Sequence, residues 1–298
     1  MFYIFLSLTI FLLLILIVAY LGSNYLIARR KPDPATSPKD YGLDFEEVSF
    51  ISGDGIKLGG WYIPAMNSDR TIIFCAGANG SIDPDVIYAP WFQAANFNVL
   101  MFDWRAHGRS AGSVTTLGYH ERYDLIAAVE FAKSKGARRI GVLGFSMGGA
   151  VAVSTAAVTP SIDAVAIDGA FVHVLSAVAG GLIERGLANW LAYSLARLFL
   201  IMTNGRLGIN LFEIDPVRWI DRIAPRPLLL IYGDRDPYVS KSEIDQLADR
   251  AKAPKEIWRV AEAAHRNIHV LRPEEYRIKL VQFFDQNLQP AQRNDPKF

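Results

Sequence analysis

Residues 140–149 read Ile-Gly-Val-Leu-Gly-Phe-Ser-Met-Gly-Gly, with Ala150-Val151-Ala152-Val153 behind them. The first half has the composition of a buried strand, and the small residues after Ser146 suit a helix packed closely against one. Between them stands Gly144-x-Ser146-x-Gly148. A serine on so abrupt a strand-to-helix turn is pushed out of the sheet. The flanking glycines let the chain reverse, and the hydroxyl is left facing whatever lies above the strand end. The helix starting at Met147 turns its positive N-terminal end toward any negative charge developing on a bound carbonyl. The tract predicts a nucleophile at Ser146, framed by Gly144 and Gly148.

Working outward, short apolar runs recur at Thr71–Cys75, Val99–Phe102, Ile140–Gly144, Ala164–Ile167, Leu228–Tyr232 and Glu256–Val260. They lack alternation, as strands covered on both faces do. Helical stretches separate them at Asp85–Ala95, Leu117–Lys133, Met147–Val158, Lys241–Ala251 and Pro273–Asn287. Glu47–Ile51 and Ile56–Ile63 flank Ser52-Gly53-Asp54-Gly55, so a β-hairpin opens the domain. Alternating strand and helix predict an α/β fold: a mostly parallel sheet with helices on both faces and its site at the carboxyl ends of the strands. Phe171–Ile214 interrupts the alternation with apolar helices and no strand.

A serine hydroxyl needs a base, and the chain has five histidines. His265 follows the last strand, where a loop can return imidazole over the serine. His269, four residues on, is its nearest rival. The intervening Arg266-Asn267-Ile268 lacks the glutamate of H-E-x-x-H, so no metal pair is expected. The acid that orients the histidine is expected in Gly233-Asp234-Arg235-Asp236-Pro237 at Asp236, with Asp234 and Asp168 as alternates. Cys75, the sole cysteine, ends an apolar strand and reads as a buried small hydrophobe. It can make neither an internal disulfide nor a multi-thiolate metal site.

With Ser146, Asp236 and His265 in that order, the chain resembles the α/β-hydrolase superfamily. The likeness is to its compact serine hydrolases, the monoacylglycerol-lipase-like and serine-aminopeptidase-like branch, and runs over about Asp44–Asn287. Asp103-Trp104-Arg105-Ala106-His107-Gly108-Arg109-Ser110 is similar to the family's D-x-R-G-H-G-x-S loop, which implies a scaffold role for His107; Ala106 replaces a glycine. Asp215-Pro216 and Pro225-Arg226-Pro227 resemble the entry to its acid-bearing strand. Where the family has His-Gly after the third strand, this chain has Ala76-Gly77. The oxyanion hole uses main-chain N–H groups, so Ala78 and Met147 are expected to supply its donors without that histidine. The resemblance implies an ester or related acyl hydrolase that needs no cofactor. A peptidase, thioesterase or acyltransferase would use the same three residues, and a non-catalytic ligand-binding member is the reading of another class.

The insertion at about 171–214 falls where this superfamily carries a cap. Its stretch Leu187–Met202 has Arg197 as its one charged residue. Trp190, Leu191, Phe199 and Leu200 are therefore expected to line an acyl pocket or face a membrane, unless the helix merely packs on the sheet. Trp91, Trp104 and Trp219 suit pocket wall or core equally.

Of the 298 residues 51% are hydrophobic, the formal charge is +1 and mean hydropathy is +0.17. A charge so near zero offers no basic field for nucleic acid. The apolar excess is concentrated in Phe2–Ala28, which contains no charged side chain and is followed by Arg29-Arg30-Lys31. About 20 such residues cross a bilayer. The run is too long for a signal-peptide core, and Met1-Phe2-Tyr3 before it carries no basic side chain, so an uncleaved anchor over 1–28 is expected. The basic flank would place the rest in the cytoplasm. A proline-rich linker at 29–40, a domain at 41–288 and a tail at 289–298 complete the expected organisation.

Overall fold

The computed structural model describes residues 1–289. Helix α1 (Phe2–Ile27) is long and apolar enough to cross a membrane. From Phe2 to Val18 its side chains are exposed, with Ile15 partly covered, whereas Ala19, Gly22, Ser23, Leu26 and Ile27 are buried against the domain. Residues 29–40, expected as a linker, have little regular structure, but they are tied down. Arg30 N donates to the Ala106 carbonyl (2.9 Å), Ser81 N to Asp33 (2.8 Å) and Thr36 N to Asp83 (3.2 Å).

Strands β1 (Glu46–Ile51) and β2 (Lys57–Ile63) form the expected antiparallel hairpin, closed by Ser52 N donating to the Ile56 carbonyl. The chain continues through β3 (Arg70–Cys75), α2 (Ala89–Ala94), β4 (Asn98–Phe102), α3 (Glu121–Ser134), β5 (Arg139–Phe145), α4 (Met147–Ala156) and β6 (Ala164–Asp168). Next come α5 (Val174–Ile183), α6 (Asn189–Leu207), β7 (Leu228–Gly233), α7 (Lys241–Arg250), β8 (Lys255–Val260), α8 (Ile268–Leu271) and α9 (Pro273–Asn287). The strands lie in the order β1-β2-β4-β3-β5-β6-β7-β8. All pairings from β4 to β8 are parallel, and those of β2 with β1 and β4 are antiparallel. The fold is α/β, as expected.

Helix boundaries differ where local chemistry intervenes. The helix expected over Asp85–Ala95 is a 3-10 turn, Asp83–Tyr88, followed by α2, because Pro90 has no N–H to continue the ladder. Helix α3 begins at Glu121 rather than Leu117: Leu117 and Gly118 have φ of 54° and 111°, and the Glu121 carboxylate accepts the Thr116 and Gly118 amides that would open a longer helix. The tail expected from 289 falls, from 290 on, outside the described residues.

Strand β3 is fully buried at the centre, and β5 beside it is buried from Ile140 to Phe145. The ring of Phe74 meets Phe92 of α2 on one face, while α3 and α4 pack side by side on the other. Each such aromatic or aliphatic side chain contributes about 1.5–3 kcal/mol by leaving water. That rigid sheet is what holds the loops at its carboxyl edge in register.

Candidate active site

Ser146 joins β5 to α4 with φ 51° and ψ −119°, a conformation costing about 1–3 kcal/mol that persists only where the surroundings impose it. Here they do. Ser146 N donates to the Asp168 carbonyl (2.9 Å), and its own carbonyl accepts the first amides of α4, from Gly149 (3.0 Å) and Ala150 (3.3 Å). A Cβ on Gly144 would meet the backbone of Gly148 and Gly149, and one on Gly148 the carbonyls of Cys75 and Ala76. Both sites require glycine because main chain lies where a side chain would go.

His265 lies in the loop after β8, held by Ala264 N donating to Asn267 Oδ1 (2.8 Å). Its Nε2 is 3.1 Å from Ser146 Oγ, and its Nδ1 is 2.6 Å from Asp236 Oδ2. Asp236, in the loop after β7, has a fully buried side chain whose other oxygen accepts the Tyr238 amide at 2.8 Å. The Tyr238 ring packs 4.6 Å from the imidazole, centroid to centroid. The three expected residues thus form one hydrogen-bonded chain.

The alternates are engaged elsewhere. Asp234 pairs with Arg259 at 2.7 Å, and Asp168 accepts the Tyr276 hydroxyl at 2.8 Å. His269 packs its ring on Tyr88 and Tyr276. Among the described residues no three His, Cys, Asp or Glu side chains converge as metal ligands. Cys75 is buried, and burial raises its thiol pKa well above the usual value, so it stays protonated.

Ala78 and Met147 line the same cleft as Ser146, and neither amide is bonded to another group among the described residues. The loop carrying Ala78 is held through its carbonyls. Trp104 Nε1 donates to Ala76 O (2.9 Å), and Ala78 O faces both Arg30 Nε (3.0 Å) and His107 Nε2 (3.2 Å). Asp103 accepts the Ile82 amide at 2.7 Å and the Arg109 amide at 2.8 Å, tying the 103–110 loop beneath it. With Ala76 in place of a histidine, the loop is therefore fixed by Trp104, His107 and Arg30.

The cleft above Ser146 is open at its mouth and spans about 960 Å³ when the solvent space there is included. Of the four α6 residues expected to line it, Phe199 does. Leu200 is buried and Trp190 is 73% exposed. Nine residues at about 100° each put Trp190 on the helix face opposite Phe199. The rest of the apolar wall includes Val174, Val178 and Leu182 of α5 and Tyr25 and Leu26 of α1, with Leu117 and Phe171 beside them. The i, i+4, i+8 spacing in α5 was a legible signal; the part played by α1 was not visible in an unbroken apolar run. Trp104 is core, and Trp219 donates Nε1 to the Glu213 carbonyl.

A second missed residue, Arg266, sits beside His265 with φ 51°, its guanidinium 2.5 Å from the buried Asp85 and 4.2 Å over the Phe145 ring. It clamps the histidine loop to the 3-10 turn that follows the Ala78 loop.

Comparison with known proteins bears on the same stretch. A family pattern described as an alpha/beta hydrolase fold matches residues 70–200. The solved esterase PF2001 of Pyrococcus furiosus is 31% identical, aligns over 87% of this chain and 98% of its own, and superposes with a TM-score of 0.72. The uncharacterized protein YqkD of Bacillus subtilis (strain 168) is 27% identical over 87% of this chain and 86% of its own length. The uncharacterized protein YfhR of Escherichia coli (strain K12) is 28% identical over 85% and 86%.

Proposed function

This chain belongs to the α/β-hydrolase family, and on that premise we propose that it is a membrane-anchored serine hydrolase of carboxylic esters. The observation that carries the proposal is the hydrogen-bonded chain from Ser146 through His265 to Asp236 at the floor of an apolar cleft. Likeness to an esterase supports it.

Ser146 Oγ attacks the ester carbonyl while His265 Nε2 takes its proton, and Asp236 holds the imidazole in the tautomer that can accept it. The carbonyl oxygen, now an anion, is met by the Ala78 and Met147 amides and by the N-terminal end of α4. Collapse expels the alcohol, which takes the proton back from His265, and leaves an acyl ester on Ser146. Water then gives a proton to His265 and attacks the acyl carbon; as the bond from the acyl carbon to Ser146 Oγ breaks, Oγ takes that proton from His265, the acid leaves and the serine is restored. A small acyl or lipid-like substrate suits the lining. Helix α1 serves as a single-pass anchor through its outer part, from Phe2 to about Leu21, with the domain on the cytoplasmic side by its basic flank.

Labelling with a fluorophosphonate tests the reading. The full-length protein is expected to be labelled and Ser146→Ala not; labelling that survives Ser146→Ala would overturn it.

A further inference from the structure

The end of α1 is part of the domain. Ala19, Gly22 and Ser23 present small side chains at i, i+3 and i+4, the pattern that lets two helices approach closely. The partner is α6. A Cβ on Gly22 would collide with the Phe199 ring, Thr203 Oγ1 donates to Ser23 Oγ at 3.0 Å, and Arg206 Nη1 donates to it at 2.9 Å. Arg185 of the cap donates to the Tyr25 hydroxyl at 2.6 Å. Beyond the helix, Arg29 donates to the carbonyls of Gly108 (2.8 Å), Ser110 (2.9 Å) and Gly112 (2.8 Å). Arg30 donates to Tyr25 O, Leu26 O and Ala78 O. The anchor therefore enters the domain as a fixed strut and ends on the loop that carries Ala78.

This attachment fixes the cleft relative to a bilayer. About 20 residues at 1.5 Å each fill about 30 Å of hydrocarbon. Counted from Phe2, the hydrocarbon ends near Tyr20 and Leu21, which are 49% and 60% exposed. The Arg206 guanidinium lies 4.4 Å over the Tyr20 ring, a cation and an aromatic where the headgroups begin. Tyr25 and Leu26, which line the cleft, follow about 7–9 Å farther along the helix. The wall of the acyl site thus starts at the outer edge of the headgroup layer, about 5–7 Å thick, on the same helix that lies in the acyl chains.

We propose that the site is loaded from the bilayer. Its substrates are long-chain acyl esters of membrane lipids, and an acyl chain slides out of the membrane along the last two turns of α1 into the cleft between α1, α5 and α6. This rests on the reading of the protein as an anchored serine hydrolase and adds the source and class of its substrate.

The test uses the full chain reconstituted in vesicles of dioleoyl phosphatidylcholine, dioleoyl phosphatidylglycerol and dioleoylglycerol. Oleate release is followed beside hydrolysis of soluble p-nitrophenyl butyrate. A flexible Gly/Ser insertion of about 12 residues between Leu21 and Gly22 keeps the span of about 20 residues and the Gly22 and Ser23 contacts while freeing the cleft from the membrane surface. We expect oleate release to fall by about tenfold or more, with butyrate hydrolysis within about twofold and vesicle flotation retained. Oleate release unaffected by the insertion, or absent from the unmodified protein while butyrate is cleaved, would overturn the proposal. If butyrate hydrolysis does not depend on Ser146, the hydrolase reading fails first and takes this one with it. If the insertion also lowers butyrate hydrolysis, photolabelling of the unmodified protein decides. A vesicle phosphatidylglycerol with a diazirine at its acyl terminus is expected to crosslink to Tyr25, Leu26 or Phe199, and crosslinks confined to residues 2–18 would overturn it.

Discussion

Asp236 Oδ2 lies 2.6 Å from His265 Nδ1, inside a loop whose side-chain carboxylate is shut off from solvent. The carboxylate dictates which imidazole nitrogen carries the proton, and so leaves Nε2 free to accept one from Ser146. Asp236→Asn preserves shape but reverses the preferred tautomer. It is expected to cut kcat for a soluble ester by about 10³–10⁴-fold with little change in KM. Steady-state kinetics on p-nitrophenyl butyrate check this; a loss below about tenfold would assign the acid elsewhere.

Gly148 touches main chain where a side chain would stand. Gly148→Ala drives a methyl group into the Cys75 and Ala76 carbonyls, which belong to a central strand end and cannot retreat singly. The expected cost is about 1–3 kcal/mol of stability, together with a sharp fall in fluorophosphonate labelling as the Ala78 loop is displaced. Denaturant melts and labelling rates measured on the same preparation check both.

Arg266 and Asp85 form a pair in which the Asp85 side chain is 5% exposed. Arg266→Met strands that carboxylate, at an expected cost of about 3–5 kcal/mol, whereas Arg266→Met with Asp85→Leu restores much of it. A double-mutant cycle by denaturant titration measures the coupling. Because Arg266 follows His265 directly, the double variant is expected to regain stability without regaining full kcat.

His173 caps α5 with Nδ1 3.0 Å from Asp215 Oδ2 and Nε2 3.1 Å from Gln246 Oε1, so the imidazolium donates to both. The hydrogen bond it donates to Asp215 raises its pKa above the ordinary 6.5 despite partial burial, with Glu243 adding to the shift. A raised folded-state value means that the stabilisation is complete below about pH 6.5 and fades as pH climbs through that higher value. His173→Gln should therefore lower Tm more at pH 5.5 than at pH 8.5. Thermal melts of both proteins at the two pH values check the sign; an equal loss at both would remove the charge from the account.

Much of the fold was legible because its signals are local. The six short apolar runs became β3 to β8, the central ones apolar throughout because they are covered on both faces, and the segments flanking Ser52–Gly55 became the β1–β2 hairpin; Gly144-x-Ser146-x-Gly148 announces its turn through the glycines that the turn demands. The helix at Asp85–Ala95 failed at Pro90, a breaker in plain sight. The start of α3 was hidden, because Glu121 closes its loop through contacts that composition does not encode.

Sequence by itself determined the α/β alternation, the candidate nucleophile, base and acid, and an N-terminal helix able to span a bilayer. Each of these is written in residue types at short spacing, where backbone geometry leaves few alternatives. Only the tertiary structure decided what surrounds Ser146. Tyr25, Leu26 and Arg30 come from far earlier in the chain than Val178, Phe199 and Tyr238, and they meet because Ala19, Gly22 and Ser23 let α1 lie against α6. A side chain's neighbours across more than a hundred residues depend on how whole elements pack, and in an unbroken apolar run the turns that pack on protein look the same as those that face lipid.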